Sequence, residues 1–221
     1  CGSADVCEAL GINLEIPPEE VARSVDEAGI GFLFAPALHG TMKHAIGPRR
    51  EIGIRTIFNI LGPLTNPAAP PFQLIGAYSK EAAKLMADTL SGMPLERAFV
   101  VHGEPGWDEA TPAGEFVLFD VRQGKVVETR RKPEDYGMER CSPAKLAGGD
   151  AAHNARELMR VFSGADQGAH RDALLMGAAL VLEVQGTVSS PAEGVAMAAA
   201  AIDDGSAGRF LEKLREHFEA A

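Results

Sequence analysis

Two adjacent acidic residues, Asp108 and Glu109, follow a short apolar run in the segment "EPGWDE". Neighbouring side chains on a regular strand point to opposite faces, so the two carboxylates can reach one cation only from an irregular turn. Pro105 and Gly106 are typical turn residues and would provide it. Mg²⁺ prefers hard oxygen ligands and often uses one or two carboxylates together with substrate phosphates. The segment therefore makes a magnesium site feasible.

Adjacent acids are also common on exposed surfaces and at helix starts. Other adjacent acidic pairs in this chain include Glu19–Glu20, Glu134–Asp135 and Asp203–Asp204. From the residues alone, both interpretations of Asp108 and Glu109 remain open.

A basic cluster occupies the stretch "KHAIGPRREIGIR", which carries Lys43, Arg49, Arg50 and Arg55 against the single acid Glu51. The chain has a formal net charge of −10, so an anionic ligand needs a local positive site of this kind. A solvated basic surface is the simpler alternative.

These residues are positioned by a predicted alternation of strands and helices. The runs "GFLFAP", "FQLIGAY" and "RAFVVHG" are short, apolar and bounded by Gly or Pro, as buried strands are. The amphipathic segment "KEAAKLMADTLSG" separates the last two, which predicts a β-α-β unit. The runs "EFVLFDV" and "KVVETRR" predict an antiparallel hairpin at a sheet edge. The expected fold class is α/β, a mostly parallel sheet flanked by helices.

Helices are expected near both ends of the chain. The segment "PPEEVARSVDEAG" has proline at its start, acids in its first turn and Gly29 after its end. From Asp150 onward the sequence is almost entirely of helical type, and its Ala-rich stretches favour close helix packing.

The composition limits the class of protein. The chain has 221 residues with 46% hydrophobic residues, enough for a substantial core. No apolar run approaches the roughly 18 residues of a membrane span, so we expect a soluble, cytoplasmic protein with no membrane partner. Cys1, Cys7 and Cys141 are too few for a disulfide framework. The negative net charge argues against a nucleic-acid partner.

Four segments in this order and spacing resemble the anthranilate phosphoribosyltransferase family: "GSADVCEALG", "GIGFLFAP", "MKHAIGPRREIGIRTIFNILGPLTNP" and "VVHGEPGWDE". The resemblance is strong to about Pro112 and weaker to the end of the chain. It implies a nucleoside phosphorylase/phosphoribosyltransferase-type α/β domain and an enzyme of tryptophan biosynthesis. The implied reaction transfers the phosphoribosyl group of phosphoribosyl pyrophosphate to the amino group of anthranilate, with release of pyrophosphate.

The resemblance also implies roles for individual residues. Ser3 would contact phosphoribosyl pyrophosphate, although a serine beside a helix is more simply a cap. Arg49 would hold the anthranilate carboxylate through two parallel hydrogen bonds. His39 and Pro63 would line the anthranilate path, with Gly62–Pro63 turning the chain toward it. Asp108 and Glu109 would bind Mg²⁺.

Several family features do not occur in this sequence. The family begins with a small helical domain and continues with a glycine-rich Gly-Thr-Gly-Gly-Asp loop, which holds the phosphates. The resemblance therefore implies that residues 1–221 form a C-terminal catalytic α/β domain, incomplete on its N-terminal side, and inactive alone. A homodimer is expected of the complete enzyme.

Three other functions remain open. Pyrimidine nucleoside phosphorylases share the fold, but their versions of the four segments are not evident. Nucleic-acid-binding relatives would need a basic surface, which the net charge of −10 opposes. The chain could also be an inert folded module.

Overall fold

The computed structural model describes residues 1–34 and 58–219. This part of the chain forms eight α-helices, four strands and two 3₁₀ helices. The α-helices are α1 Ser3–Ala9, α2 Pro18–Ala28, α3 Phe58–Leu64, α4 Lys80–Ser91, α5 Ala151–Phe162, α6 Ala169–Gln185, α7 Pro191–Asp203 and α8 Ser206–Glu219. The strands are β1 Phe72–Gly76, β2 Arg97–Gly103, β3 Phe116–Arg122 and β4 Lys125–Arg131, and the 3₁₀ helices are Pro133–Tyr136 and Pro143–Leu146.

Local sequence signals account for the helix boundaries. Helix α2 has Pro18 in its first turn and ends at Gly29, whose φ of 83° lies in the left-handed region that glycine adopts readily. Helix α4 begins after Ser79, whose hydroxyl accepts a hydrogen bond from the Ala82 N–H. The predicted helices in the first 30 residues and after Asp150 are confirmed.

The strands lie in the order β1-β2-β3-β4, with β1 and β2 parallel and the other two pairs antiparallel. This confirms the β-α-β unit and the edge hairpin. The α/β class is also confirmed, but the expectation of a mostly parallel sheet is wrong for the described residues. Only the β1–β2 connection contains a crossover helix, and the connections between the later strands contain none, which favours antiparallel pairing.

The segment "GFLFAP" was expected to form a strand, but Gly31–Phe34 form none, and the rest of it lies outside the described residues. The Phe34 N–H donates to the Phe32 carbonyl at 3.1 Å, a tight turn that interrupts extended backbone. Both rings pack against the cluster formed by α1, α2, α5 and α8.

Alternate residues of β2 are buried in two separate hydrophobic cores. Phe99 and Val101 face a cluster built with α6 and α7, whereas Ala98 and Val100 face a cluster built with α4. This two-residue alternation is the normal pattern of a strand covered on both faces. The sheet therefore lies between α4 on one side and α6 with α7 on the other.

A buried ion pair holds the C-terminal end of α6 on the sheet. The Arg131 guanidinium donates two hydrogen bonds to the Glu183 carboxylate, at 2.6 and 2.7 Å, and a third to the Tyr136 hydroxyl at 3.0 Å. Arg97 donates to the Glu183 carbonyl at 2.9 Å and pairs with Asp120. These bonds connect three strands to one helix.

Glycine is required where the acidic turn crosses the ends of β1 and β2. A Cβ atom on Gly76 would collide with the Asp108 carbonyl oxygen, and one on Gly103 would collide with the Glu109 carbonyl oxygen. The turn therefore lies directly against the carboxyl ends of both parallel strands.

None of the described helices combines the length and continuous apolar character that a bilayer crossing requires. All three cysteines are free thiols.

We predict that Gly103→Ala destabilises the chain by about 2 kcal/mol, because the new methyl group must displace backbone rather than a flexible side chain. Urea unfolding measures the change. The control is Gly177→Ala in α6, where a Cβ meets no atom within 4 Å. The free energy of unfolding of that variant should rise by about 0.5–1 kcal/mol. Equal losses of stability in both variants would contradict the close approach of the Glu109 carbonyl to Gly103.

We also predict that Glu183→Ala lowers the free energy of unfolding by about 3 kcal/mol, because it leaves the Arg131 charge buried without its carboxylate. Asp88→Ala is the control, since Asp88 forms an exposed ion pair with Lys84. It should change stability by less than about 1 kcal/mol. A Glu183→Ala effect no larger than that of the control would show that the ion pair does not anchor α6.

Candidate functional site

A pocket of about 710 Å³ opens beside the carboxyl ends of β1 and β2. Leu74, Val101 and residues of α5 and α6 give it an apolar base, and the turn after β2 forms one wall. Ligands of α/β proteins commonly bind beyond the carboxyl ends of parallel strands. This pocket is therefore the candidate site.

The acidic turn is held by its own backbone. The Gly103 N–H donates to the Trp107 carbonyl at 2.8 Å, and the Trp107 N–H donates to the Gly103 carbonyl at 2.9 Å. Gly106 has a φ of 121°, which glycine accommodates best. The expected irregular turn is confirmed, and it places Asp108 and Glu109 together on the pocket wall.

The two carboxylates influence each other. Glu109 keeps contact with solvent, but the surrounding protein removes part of its hydration and raises its pKa, and the negative charge of Asp108 raises the pKa further. A cation bound between them would remove this repulsion. The pair therefore offers carboxylate oxygens of the kind that bind a divalent ion such as Mg²⁺, and its two negative charges favour such an ion.

The charge of the pocket favours cations. Its described lining includes the carboxylates of Asp108, Glu109 and Glu157, but no Lys or Arg. A phosphate group entering it would be repelled unless a metal ion came with it. The described residues therefore fit a site that binds an anion through a metal ion better than one that binds the anion with its own positive side chains.

A second polar cluster contributes Glu157 and His170 to the lining of the same pocket. Glu157 of α5, Asp166 of the following loop and His170 of α6 place their ligand atoms within 4.8 Å of one another. All three side chains are half-buried. Sequence reasoning missed this cluster, since the only local signal was the i, i+4 spacing of Asp166 and His170, and Glu157 joins them through helix packing.

Two of the other predicted site residues, Ser3 and Pro63, are not brought to this pocket. Ser3 is exposed at the first turn of α1, where Gly2 rather than Ser3 is the N-cap. Pro63 is exposed within α3, so the expected turn at Gly62–Pro63 is wrong. The helix continues to Leu64, and Thr65 then satisfies the Leu61 carbonyl at 2.9 Å. Neither Ser3 nor Pro63 is among the described lining residues.

His39 and Arg49 lie outside the described residues, as does the rest of the basic cluster from Lys43 to Arg55. Their assignments as anthranilate contacts remain predictions.

Comparison with known proteins gives the pocket a family context. A relative from Geotalea uraniireducens, named anthranilate phosphoribosyltransferase, is 51% identical over 214 residues. The alignment covers 97% of this chain and 61% of that relative, so the chain spans about three fifths of its length.

Solved structures share the fold. The anthranilate phosphoribosyltransferase of Thermus thermophilus matches with a TM-score of 0.89 and 39% identity, over 99% of this chain and 64% of its own. The Saccharomyces cerevisiae enzyme in complex with PRPP and Mg matches with a TM-score of 0.90 and 29% identity, over 100% of this chain and 62% of its own.

The family model described as "Glycosyl transferase family, a/b domain" matches residues 1–208. With the β-α-β unit, the edge hairpin and the acidic pocket in place, this match shows that the chain belongs to the glycosyl transferase family, a/b domain.

Proposed function

We propose that this chain is the C-terminal catalytic α/β part of an anthranilate phosphoribosyltransferase of tryptophan biosynthesis. It would take part in transferring the phosphoribosyl group of phosphoribosyl pyrophosphate to the amino group of anthranilate, with release of pyrophosphate. The observation that carries the proposal is the acidic pair, Asp108 and Glu109, on the wall of a pocket at the strand ends.

Asp108 and Glu109 are the proposed magnesium ligands. Their carboxylates are hard oxygen donors, and neither forms an ion pair with a described Lys or Arg. When bound, Mg²⁺ supplies positive charge against the negative charge that grows on the departing pyrophosphate. The protein's contribution is to hold the two carboxylates in place through the backbone of the turn, and to offer a pocket whose described lining contains no Lys or Arg.

The substrate contacts are proposed from the resemblance. Ser3 would donate to phosphoribosyl pyrophosphate, and its exposed hydroxyl at the start of α1 is accessible to a ligand. Arg49 would bind the anthranilate carboxylate in a bidentate way, with His39 and Pro63 shaping the approach. Orientation of the amine and the sugar carbon by these contacts would account for most of the rate, without a covalent intermediate.

The expectations about assembly and location stay predictions. They are a homodimer, a cytoplasmic location and the absence of a nucleic-acid partner.

The function can be tested with a chimera that joins this chain to the N-terminal part of the Geotalea uraniireducens relative. We predict that the chimera releases pyrophosphate from phosphoribosyl pyrophosphate only when anthranilate and Mg²⁺ are present. Asp108→Asn combined with Glu109→Gln should raise the Mg²⁺ concentration for half-maximal rate by about 10-fold or more, because the amides keep the shape but lose the charge.

The matched control is Glu19→Gln with Glu20→Gln, another adjacent acidic pair, in the first turn of α2. That variant should have an unchanged Mg²⁺ dependence. An inactive chimera of native secondary structure would contradict the proposed function, and an active one with the same Mg²⁺ titration in both variants would contradict the metal assignment.

The raised pKa of Glu109 gives a prediction about pH. The carboxyl carbon of Glu109, followed by NMR without divalent ions, should titrate above its ordinary value of 4.5. Asp108→Asn should lower that pKa only part of the way, because desolvation is the larger cause. Saturating Mg²⁺ should lower it as well, since the ion binds the charged form.

By the same linkage, the affinity for Mg²⁺ must weaken as the pH falls through the raised pKa, where protons compete for the carboxylate. A Glu109 titration that Mg²⁺ leaves unchanged would exclude Glu109 as a ligand.

A further inference from the structure

The cluster of Glu157, Asp166 and His170 surrounds one point with three different ligands. The Nδ1 atom of His170 lies 3.2 Å from Oδ2 of Asp166 and 3.9 Å from Oε2 of Glu157. Each residue comes from a different element, namely the middle of α5, the loop after it and the first turn of α6. Packing of α5 against α6 therefore creates the cluster.

The backbone fixes the central carboxylate. Oδ1 of Asp166 accepts a hydrogen bond from the Gly168 N–H at 2.8 Å, which turns Oδ2 toward His170. The Asp166 N–H donates to the Arg160 carbonyl at 3.0 Å.

We propose that this cluster binds a transition-metal cation of the zinc type through His170 Nδ1, Asp166 Oδ2 and Glu157 Oε2, with water completing the coordination. Zinc bonds to imidazole nitrogen and carboxylate oxygen are about 2.0–2.2 Å long, so two ligand atoms of a tetrahedral site are about 3.4 Å apart. The observed separations of 3.2 and 3.9 Å lie on either side of that value. Small side-chain movements would bring the ligand atoms to the separations of a tetrahedral site.

The donor set distinguishes this site from the acidic pair. Imidazole nitrogen suits zinc and its neighbours in the transition series, whereas Mg²⁺ prefers oxygen ligands alone. Asp108 and Glu109 present only oxygen and line the same pocket as Glu157 and His170. His170 also lines a smaller cavity of about 350 Å³ together with Asp108 and Glu109, so the two sites are neighbours with different metal preferences.

The competing explanation is a simple ion pair of protonated His170 with its two acids. Arg160 is a second competitor, because its Nη1 lies 3.6 Å from Glu157 Oε2. Its side chain is 56% exposed, so its hold on Glu157 is weak. The pocket's described lining adds two more carboxylates and no Lys or Arg, which favours a divalent cation over a neutral occupant.

The test is a titration of the 221-residue chain with Zn²⁺ by calorimetry and with Co²⁺ by visible absorption, after the three thiols have been alkylated. Alkylation blocks the exposed Cys1 thiol, which could otherwise chelate metal together with the terminal amine. We expect one equivalent to bind and to give the intense absorption of tetrahedral Co²⁺. His170→Ala should weaken this binding by more than about 100-fold, since even losing a hydrogen-bond partner of a ligand costs about 10- to 100-fold.

Three control variants separate the proposal from its rivals. His153→Ala removes the second histidine of the described lining and should keep the affinity. Asp108→Asn with Glu109→Gln should keep the bound equivalent and weaken it by only about 2- to 5-fold, because nearby charges but no ligands are lost. A retained equivalent makes the result independent of the proposed function. Arg160→Ala should tighten binding about 2- to 5-fold, the size of an exposed ion pair.

Absence of Zn²⁺ binding, an unchanged stoichiometry and affinity in His170→Ala, or loss of the bound equivalent in the Asp108 and Glu109 variant would each overturn the proposal. Far-ultraviolet circular dichroism of every variant identifies a folding defect. If His170→Ala is defective, His170→Gln, which fills the same space without an imidazole, replaces it in the comparison.

Discussion

The site depends on the close approach of one turn to the ends of two strands. The carbonyls of Asp108 and Glu109 lie so near to Gly76 and Gly103 that any side chain there would collide with them. Because β1 and β2 are parallel, both glycines are at the same edge of the sheet, and a single turn can cover them. The β-α-β unit thereby fixes where the acidic pair stands before any ligand arrives.

This placement has an electrostatic cost that binding can reverse. The turn sets two like charges side by side and removes part of the hydration of Glu109, and both effects raise its pKa. Helix α6, which carries His170, is held in a different way, since the Arg131–Glu183 ion pair fixes its far end on the sheet.

Local patterns predicted most of the architecture. Alternating burial, caps and turn residues gave the β-α-β unit, the hairpin and the C-terminal helices, because each depends on residues close in sequence. The direction of strand pairing was predicted less well, since it depends on which connections carry a helix. The run Gly31–Phe34 was expected to be a strand because it is apolar, but its rings are buried against helices rather than in the sheet.

The acidic pair could be found from sequence because its two members are adjacent, whereas the cluster of Glu157, Asp166 and His170 could not, because it exists only where α5 packs on α6. The two groups nevertheless share one pocket whose described lining lacks Lys and Arg. In such a pocket the choice of cation depends on donor atoms rather than on charge, since both groups are acidic. We therefore expect the proposed pair of oxygen ligands to favour a hard cation, and the proposed nitrogen and oxygen set to favour a softer one.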